Sequence, residues 1–310
     1  MQEHPTQLEH SIVRTICWFA VFEYPVTGFE IWKWLLEPDR PYDLTQVYLV
    51  LETSTWLHER IVMKQGFYVL SQHEDSERWL VQRRDRFLDA TRKFKKLRRA
   101  CSYFSMLPGV RTVCAVNTLA WWHTSASSDI DLFIITRPGL IWTSRFFLVA
   151  PFALLNRRPT KHLSQPVNDP FCFSFFVTQT DLQLESLKYN TKDYYLAFWT
   201  KSLVPFFDKD QHLASFEQLN KWASALLPNA RLRSQHHTHK SKRPFRLSVQ
   251  PRMLEGVYRS IQKRRMPSEL VELANRDTRV VVSDTMLKFH ENDRRELFTQ
   301  KFEALVRETV

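Results

Sequence analysis

The chain has 310 residues, of which 44% are hydrophobic, and 44 Lys and Arg against 33 Asp and Glu give a formal net charge of +11. This length accommodates one large domain or two to three small ones, and the basic balance favours an anionic partner such as a nucleic acid, a nucleotide or an acidic membrane surface. The four cysteines form no CxxC pair, which argues against a disulfide framework, and only five glycines leave little room for Gly-rich phosphate loops.

The first segment predicts three helices followed by a hairpin. Apolar residues recur at helical spacing from Leu8 to Phe22, which predicts the first helix. Thr27, with Glu30 three residues later, has the pattern of a capping box that opens a second helix, and a third helix begins near Asp43. The alternating stretch RIVMKQGFYVLSQH contains a Lys-Gln-Gly turn and predicts a β-hairpin.

Three short helices and a hairpin are typical of a winged-helix-like module, here residues 1–73. In that class the third helix and the wing contact nucleic acid. The segment from Asp43 to Glu59, however, contains no Lys or Arg, and phosphate contacts require cations. Two interpretations therefore stay open: a DNA reader, and a module used for packing or dimerisation.

Residues 74–107 predict one long basic linker helix. Ten Lys or Arg lie between Arg78 and Arg99, and apolar residues recur there at helical spacing. The stretch is either a solvated helix with one packed face or a basic ridge that binds nucleic acid or nucleotide. The segments 78–99 and 231–265, both basic, are the candidate contacts for nucleic acid.

Two carboxylates lie within an apolar run in the middle of the chain. The β-branched segment from Val110 to Val116 predicts one strand, and Asp131 to Thr136 predicts another. Because alternate residues of a strand face the same way, Asp129 and Asp131 should project from the same face. Two adjacent carboxylates repel unless a cation lies between them, and hard oxygen ligands suit Mg²⁺. The alternative is an exposed strand end with Asp129 in a turn.

The most apolar segment runs from Leu140 to Leu155. It is about one turn too short to span a bilayer, and it contains Arg145 and Pro151. We therefore expect a core helix here and no membrane span. The polar N-terminus lacks the hydrophobic region of a signal peptide, which adds to the expectation of a cytoplasmic protein.

The stretch that contains the two carboxylates resembles the signature of the nucleotidyltransferase superfamily. In that signature a strand leads to a Gly-Ser turn that opens a helix, and an Asp-x-Asp pair follows on the next strand. Here Asn117 and Thr118 stand at the turn, and the stretch SDIDLFIITRPG supplies Asp129 and Asp131.

The resemblance extends to an uncharacterised group of bacterial proteins that carry a nucleotidyltransferase domain behind a winged-helix segment, and it covers most of the chain. Single motifs are weak, but their order and spacing together are specific. In chain order they are PG-x-x-W-x-x-R from Pro138 to Arg145, the Cys-containing strand FCFSFFVT, D-x-Y-x-A from Asp193 to Ala197, N-x-W with LPNA from Asn220 to Ala230, and FH-x-x-D-x-R from Phe289 to Arg295.

The resemblance implies an α+β fold and a division of the chain. A nucleotidyltransferase-like domain, with a mixed sheet and flanking helices, would occupy residues 108–230. A basic linker and C-terminal helices would follow over 231–310. The implied activity is Mg²⁺-dependent transfer of a nucleotidyl group from a nucleoside triphosphate (NTP) to an acceptor hydroxyl, with pyrophosphate leaving.

The resemblance also assigns roles to individual residues. Asp129 and Asp131 would hold the Mg²⁺ ion and act as the catalytic residues. The NTP would be bound by four residues: Asn117, Thr118, Ser128 and Arg145.

The turn departs from the superfamily pattern. Thr118 keeps a hydroxyl where the signature has serine, whereas Asn117 tolerates a left-handed backbone but places a side chain where glycine lets phosphate approach. Trp121 and Trp122 follow in a stretch that is usually small or polar. They would either stack on a base or fill the pocket.

Further departures affect the carboxylate set. The strand FCFSFFVT lacks the third carboxylate often found on a neighbouring strand, and Asp169 just before it is only a candidate. Trp199 stands where the related proteins tend to carry an acid, and Cys114 and Cys172 are expected to be small core residues. These departures from the superfamily pattern suggest a divergent enzyme. The alternative is a catalytically degenerate fold that regulates by binding a nucleotide or nucleic acid.

Overall fold

A computed structural model describes residues 5–73, 76–155, 168–233 and 251–310. The chain folds as a mixed α+β structure, as the sequence predicts. Its α-helices are α1 (Gln7–Ala20), α2 (Gly28–Lys33), α3 (Leu44–Thr53), α4 (Thr55–His58), α5 (Ser76–Phe104), α6 (Asn117–Ala120), α7 (Ile141–Leu154), α8 (Tyr194–Ser202), α9 (His212–Leu219), α10 (Trp222–Leu226), α11 (Glu255–Arg264), α12 (Ser268–Leu273) and α13 (Arg295–Thr309). Its strands are β1 (Val26–Thr27), β2 (Ile61–Lys64), β3 (Phe67–Leu70), β4 (Val110–Ala115), β5 (Ile130–Thr136), β6 (Phe171–Thr178), β7 (Val204–Asp208), β8 (Val280–Val282) and β9 (Met286–Phe289).

The N-terminal elements begin and turn where the sequence predicts. The Thr27 hydroxyl accepts a hydrogen bond from the Glu30 amide at 3.2 Å, and the Glu30 carboxylate accepts one from the Thr27 amide at 2.9 Å, so the capping box is present. Strands β2 and β3 form the predicted hairpin around Gln65 and Gly66, whose φ values of 52° and 83° suit a tight hairpin turn. Strand β1 pairs with β3 and completes a three-stranded sheet.

The N-terminal elements share one hydrophobic core with the C-terminal half of the chain. Trp18 of α1 stacks on Phe198 of α8, with ring centroids 4.9 Å apart, and meets Phe302 of α13 edge-on at 5.6 Å. Buried residues of α1 to α4 lie in the same cluster as those of α8, α10 and α13. Residues 5–73 are therefore packed against the rest of the chain through a shared apolar core.

Helix α5 is the predicted basic helix, continuous over 29 residues. Several of its basic side chains form ion pairs within the protein. Lys93 is 0% exposed, and its Nζ lies 2.8 Å from Asp89 of the same helix. An Arg92 nitrogen donates to Asp169 at 2.7 Å, and Arg83 pairs with a glutamate of α2. The predicted basic ridge is thus partly an internal set of ion pairs.

A six-stranded mixed sheet in the order β7-β4-β5-β6-β9-β8 forms the centre of the molecule. Strands β5 and β6 run parallel, and the other neighbouring pairs are antiparallel. Side chains such as Leu132 and Ile134 face a core that includes α5 and α7. Their neighbours Phe133 and Ile135 face the opposite core, which includes α8 and α9. The sheet therefore separates two hydrophobic layers.

The sequence predicted a linker and helices in the C-terminal region, but the structure also has two strands there. Strands β8 and β9 form a hairpin around Ser283 and Asp284, and β9 pairs with β6 to extend the central sheet. The β-branched run of β8 and the following turn were a local signal for this hairpin. Residues 234–250 of the basic stretch 231–265 lie outside the described residues.

The most apolar segment forms α7, the core helix that the sequence predicts, with Ile141, Trp142 and Leu148 buried. Among the residues that the structure describes, no helix has both the length and the apolar character needed to cross a bilayer.

Candidate metal and nucleotide site

Asp129 and Asp131 lie close together at the start of β5. Asp131 alternates with Ile130 and Leu132, which are buried in the core on the other face of the sheet. One carboxylate oxygen from each aspartate belongs to a group of candidate ligand atoms that all lie within 4.8 Å of one another. The predicted proximity of the two carboxylates is confirmed.

The third member of this group is Cys172, which the sequence assigned to the core. Cys172 is paired directly with Asp131 across the parallel strands β5 and β6, and its Sγ lies within the same 4.8 Å limit. It is only partly buried. The expectation of a small core residue was wrong for Cys172, because the register between the strands turns its side chain toward the carboxylates.

Burial raises the pKa of all three side chains, and the charge of Asp131 adds to the rise for Asp129 and Cys172. Burial and the nearby charge of Asp131 raise the pKa of Asp129 from 3.8 to about 6. Burial raises the pKa of Asp131, although a hydrogen bond from Asn117 opposes the rise. Burial, and then the charge of Asp131, hold the pKa of the Cys172 thiol well above its ordinary value. A cation at this position would relieve the repulsion between the ionised groups.

Asn117 begins α6 with a left-handed backbone, φ 53°, as its side chain allows. Its Nδ2 donates a hydrogen bond to Asp131 Oδ2 at 3.0 Å, so the residue at the predicted phosphate turn contacts the carboxylate pair. Thr118 is exposed beside it. Helix α6 has only four residues, so its dipole is a weak source of positive potential for phosphates.

Two residues that the resemblance assigned to NTP binding form hydrogen bonds within the protein instead. The Ser128 hydroxyl accepts from the Ser125 amide at 2.9 Å and closes the turn that leads into Asp129. Arg145 lies on α7, which covers the other side of the sheet, and it donates to Gln262 at 2.6 Å. The Arg145 assignment is corrected, because the sheet separates α7 from the carboxylates.

The candidate third carboxylate is also not part of the site. Asp169 is bound by Arg92, and Lys93 and Lys96 of the same helix lie 3.7 and 3.6 Å from it. These contacts lower its pKa despite its burial. Asp169 therefore anchors the start of β6 to α5.

A cavity of about 380 Å³ has in its wall Asn117, the residue that donates a hydrogen bond to Asp131. Most of its remaining wall comes from α8 and from the segment between β9 and α13. The aromatic and cationic side chains among its lining residues are Phe175, Tyr195, Trp199, Phe289, Phe298, Lys288, Arg294 and Arg295. The FH-x-x-D-x-R motif thus lies at the site, although its sequence gave no indication of which strand it would join.

The cationic side chains of this cavity differ in how fully they are bound by other groups of the protein. Lys288 is buried and donates to the Thr278 carbonyl at 2.6 Å, and burial lowers its pKa to about 8. Arg295 is held by Asp293 and by Asp193, the N-cap residue of α8. Arg294 is exposed at the rim. Arg294 is therefore the cation best placed to meet a bound anion.

Ser174 links Cys172 to His290, which lines the cavity. His290 Nε2 lies 3.1 Å from Ser174 Oγ, and Ser174 stands two residues beyond Cys172 on β6. Burial and the nearby charge of Lys288 lower the pKa of His290 to about 3, so its ring is neutral at pH 7.

The tryptophans near the turn are mainly packing residues. Trp121 packs against Trp34 at 4.6 Å, and Trp122 packs against Phe94 at 4.2 Å. Trp199 is buried against Phe175 and lines the cavity, so no carboxylate replaces the acid missing at that position.

Comparisons of the chain with protein-family models, with curated proteins and with solved structures each found no match. The proposal of a function therefore depends on the geometry of the site.

Proposed function

We propose that the chain is a divergent nucleotidyltransferase, which binds the divalent-metal complex of an NTP and transfers the nucleotidyl group to an acceptor hydroxyl. One observation carries the proposal: carboxylate oxygens of Asp129 and Asp131 lie within 4.8 Å of each other, and Asn117, which donates to Asp131, lines a cavity of about 380 Å³. Carboxylate pairs that hold a cation near a cavity large enough for a small molecule are suited to phosphoryl chemistry.

The residues around the site have distinct tasks in this proposal. Asp129 and Asp131 fit a divalent ion through their oxygens, and Mg²⁺ is the ion that two carboxylates alone would select. Such an ion would supply positive charge to the triphosphate and to the attacking hydroxyl. Asn117 orients Asp131 through its hydrogen bond, and Arg294 adds positive charge at the cavity rim.

The aromatic side of the cavity suits the base of a nucleotide. Tyr195 and Phe298 are stacked on each other with ring centroids 5.7 Å apart, and both line the cavity together with Phe175. Flat aromatic faces accept any base by stacking, so this wall supports NTP binding without fixing which base is preferred.

A second candidate function is nucleotide binding without transfer. Two observations favour it: Asn117 places a side chain at the turn where the superfamily has glycine, and the strand beside Asp131 carries Cys172 and no carboxylate. In this case the chain would act as a regulator that responds to nucleotide.

Calorimetric titration with each of the four Mg²⁺–NTP complexes tests the proposal, together with an assay for released pyrophosphate. We expect binding by the wild type and its loss in the Asp129→Asn, Asp131→Asn double variant. The Asp39→Asn, Asp85→Asn double variant removes the same charge from residues outside the site and should bind as the wild type does.

The outcomes separate the two functions. Binding with pyrophosphate release supports the enzyme, and binding without release for any acceptor supports the regulator. Equal binding by the two double variants would place the nucleotide elsewhere and would contradict both.

A further inference from the structure

The thiol of Cys172 occupies a position unlike that of the other cysteines. Cys17, Cys101 and Cys114 are buried within the three hydrophobic clusters. Cys172 instead lies partly exposed, and its Sγ is within 4.8 Å of a carboxylate oxygen of both Asp129 and Asp131. No other group of three potential ligand residues with this spacing occurs among the residues that the structure describes.

The strand pairing holds the three ligand atoms in place. Asp131 and Cys172 are direct partners across the parallel pair β5 and β6, so their side chains leave the same face of the sheet side by side. Asn117 fixes Asp131 from one side, and Ser174 and His290 continue the polar surface from Cys172 on the other. The thiol therefore faces the same space as the carboxylates.

The chemistry of this set differs from that of carboxylates alone. Mg²⁺ takes hard oxygen ligands and binds thiolates poorly, whereas the divalent ions from Mn²⁺ to Zn²⁺ accept oxygen and sulfur together. A thiol that binds such an ion loses its proton to solvent and contributes a third negative charge.

We infer that Cys172 is the third protein ligand of the metal, and that the site takes a first-row divalent transition ion in preference to Mg²⁺. The inference rests on the proposed metal site and specifies which ion that site selects. Asp129, Asp131 and Cys172 would hold the ion through two oxygens and one sulfur, and the ion would supply positive charge for the phosphates of the nucleotide.

Cobalt titration followed by absorbance tests this inference directly, because a thiolate bound to Co²⁺ gives a charge-transfer band in the near ultraviolet. We expect the band in the wild type and its absence in Cys172→Ser. The control is Cys17→Ser, which should keep the band. Cys17 lies 3.9 Å from the Thr309 hydroxyl, a polar contact that serine can retain.

Competition between metals adds a second readout that does not need enzyme activity. We expect the wild type to bind Zn²⁺ and Mn²⁺ more tightly than Mg²⁺, and Cys172→Ser to lose about tenfold or more of its Zn²⁺ affinity. Cys172→Asp supplies three carboxylates and should shift the preference toward Mg²⁺.

Each result identifies which claim fails. Co²⁺ binding without the band in the wild type would overturn the role of Cys172 and leave the carboxylate site standing. A band that persists in Cys172→Ser would also overturn it. If the wild type binds no metal, and so does not differ from the Asp129→Asn, Asp131→Asn variant, the proposed metal site itself is overturned.

Discussion

The side-chain amide of Asn117 donates a hydrogen bond to Asp131 across 3.0 Å, and this contact joins the start of α6 to the carboxylate pair on β5. Asn117 holds a left-handed backbone that glycine usually adopts, and its side chain occupies space beside the carboxylate. Its effects on the backbone and on phosphate binding can be measured separately.

The backbone effect predicts different stabilities for two substitutions of Asn117. Both Asn117→Gly and Asn117→Ala remove the hydrogen bond to Asp131, but only alanine is strained at φ 53°. We expect Asn117→Ala to be less stable than Asn117→Gly by about 1 kcal/mol, measured by urea unfolding with EDTA present. Equal stability of the two variants would contradict the left-handed conformation.

The phosphate effect predicts that restoring the small turn increases nucleotide affinity. Asn117→Gly with Thr118→Ser opens the backbone amides to phosphate, and one charge-assisted hydrogen bond is worth about 1.5–3 kcal/mol, or about tenfold or more in affinity. Calorimetry with the metal–NTP complex measures the change. If the wild type binds equally well, Asn117 and Thr118 are a working variant of the phosphate turn.

The raised pKa of Asp129 predicts a pH-dependent loss of stability in the metal-free protein. Its folded-state pKa of about 6 exceeds the ordinary value of 3.8, so its contribution to stability is full below pH 3.8 and is lost as the pH rises through 6. Asn at position 129 cannot ionise. In EDTA, Asp129→Asn should therefore melt higher than the wild type at pH 7, with a smaller difference at pH 4. A difference independent of pH would contradict this account.

Lys93 is predicted to position the two segments that lead into Asp129 and Cys172. Its Nζ donates to the carbonyl of Ser125, just before the turn that carries Asp129, and lies 3.7 Å from Asp169, three residues before Cys172. Lys93→Met should therefore lower Mn²⁺ affinity by about tenfold, measured by calorimetry on the folded variant.

Lys201→Met is the matched control for that measurement. Lys201 is 3% exposed and pairs with Glu217 at 3.0 Å, away from the carboxylates. Both variants should lose stability, because each leaves a carboxylate without its buried partner. A similar loss of metal affinity in both would mean that Lys93 acts only through stability.

The N-terminal elements are predicted to bind duplex DNA weakly and without sequence preference. Helix α3 exposes Tyr48, Leu49 and Glu52 and has no Lys or Arg for phosphate contacts. Affinity of the full chain should fall steeply with salt, as measured by fluorescence anisotropy. It should also fall when the exposed Arg98 and Arg99 of α5 are changed to Glu.

Leu49→Glu is the control on α3 and should leave this affinity unchanged. Tight, sequence-selective binding at physiological salt, weakened by Leu49→Glu, would show instead that α3 reads DNA.

Local patterns predicted the elements that local forces determine. The period of two predicted that Asp129 and Asp131 lie close together, although Asp129 stands one residue before β5. The capping pattern located Thr27 at the start of α2, and the Lys-Gln-Gly turn located the β2–β3 hairpin. Each depends on residues a few positions apart.

Contacts between distant segments could not be predicted in the same way. The parallel register that brings Cys172 beside Asp131, and the pairing of β9 with β6 that brings His290 to the cavity, depend on how layers pack and carry no local signature. Arg145 was misplaced for the same reason, since helical spacing does not reveal which side of a sheet a helix covers.

Anomalous diffraction from crystals grown with Mn²⁺ and a non-hydrolysable NTP analogue tests the central claim most directly. The account predicts a manganese peak among the carboxylates of Asp129 and Asp131 and the sulfur of Cys172, with the triphosphate in the adjoining cavity near Asn117 and Arg294. A manganese peak elsewhere, or an analogue bound away from this cavity, would contradict it.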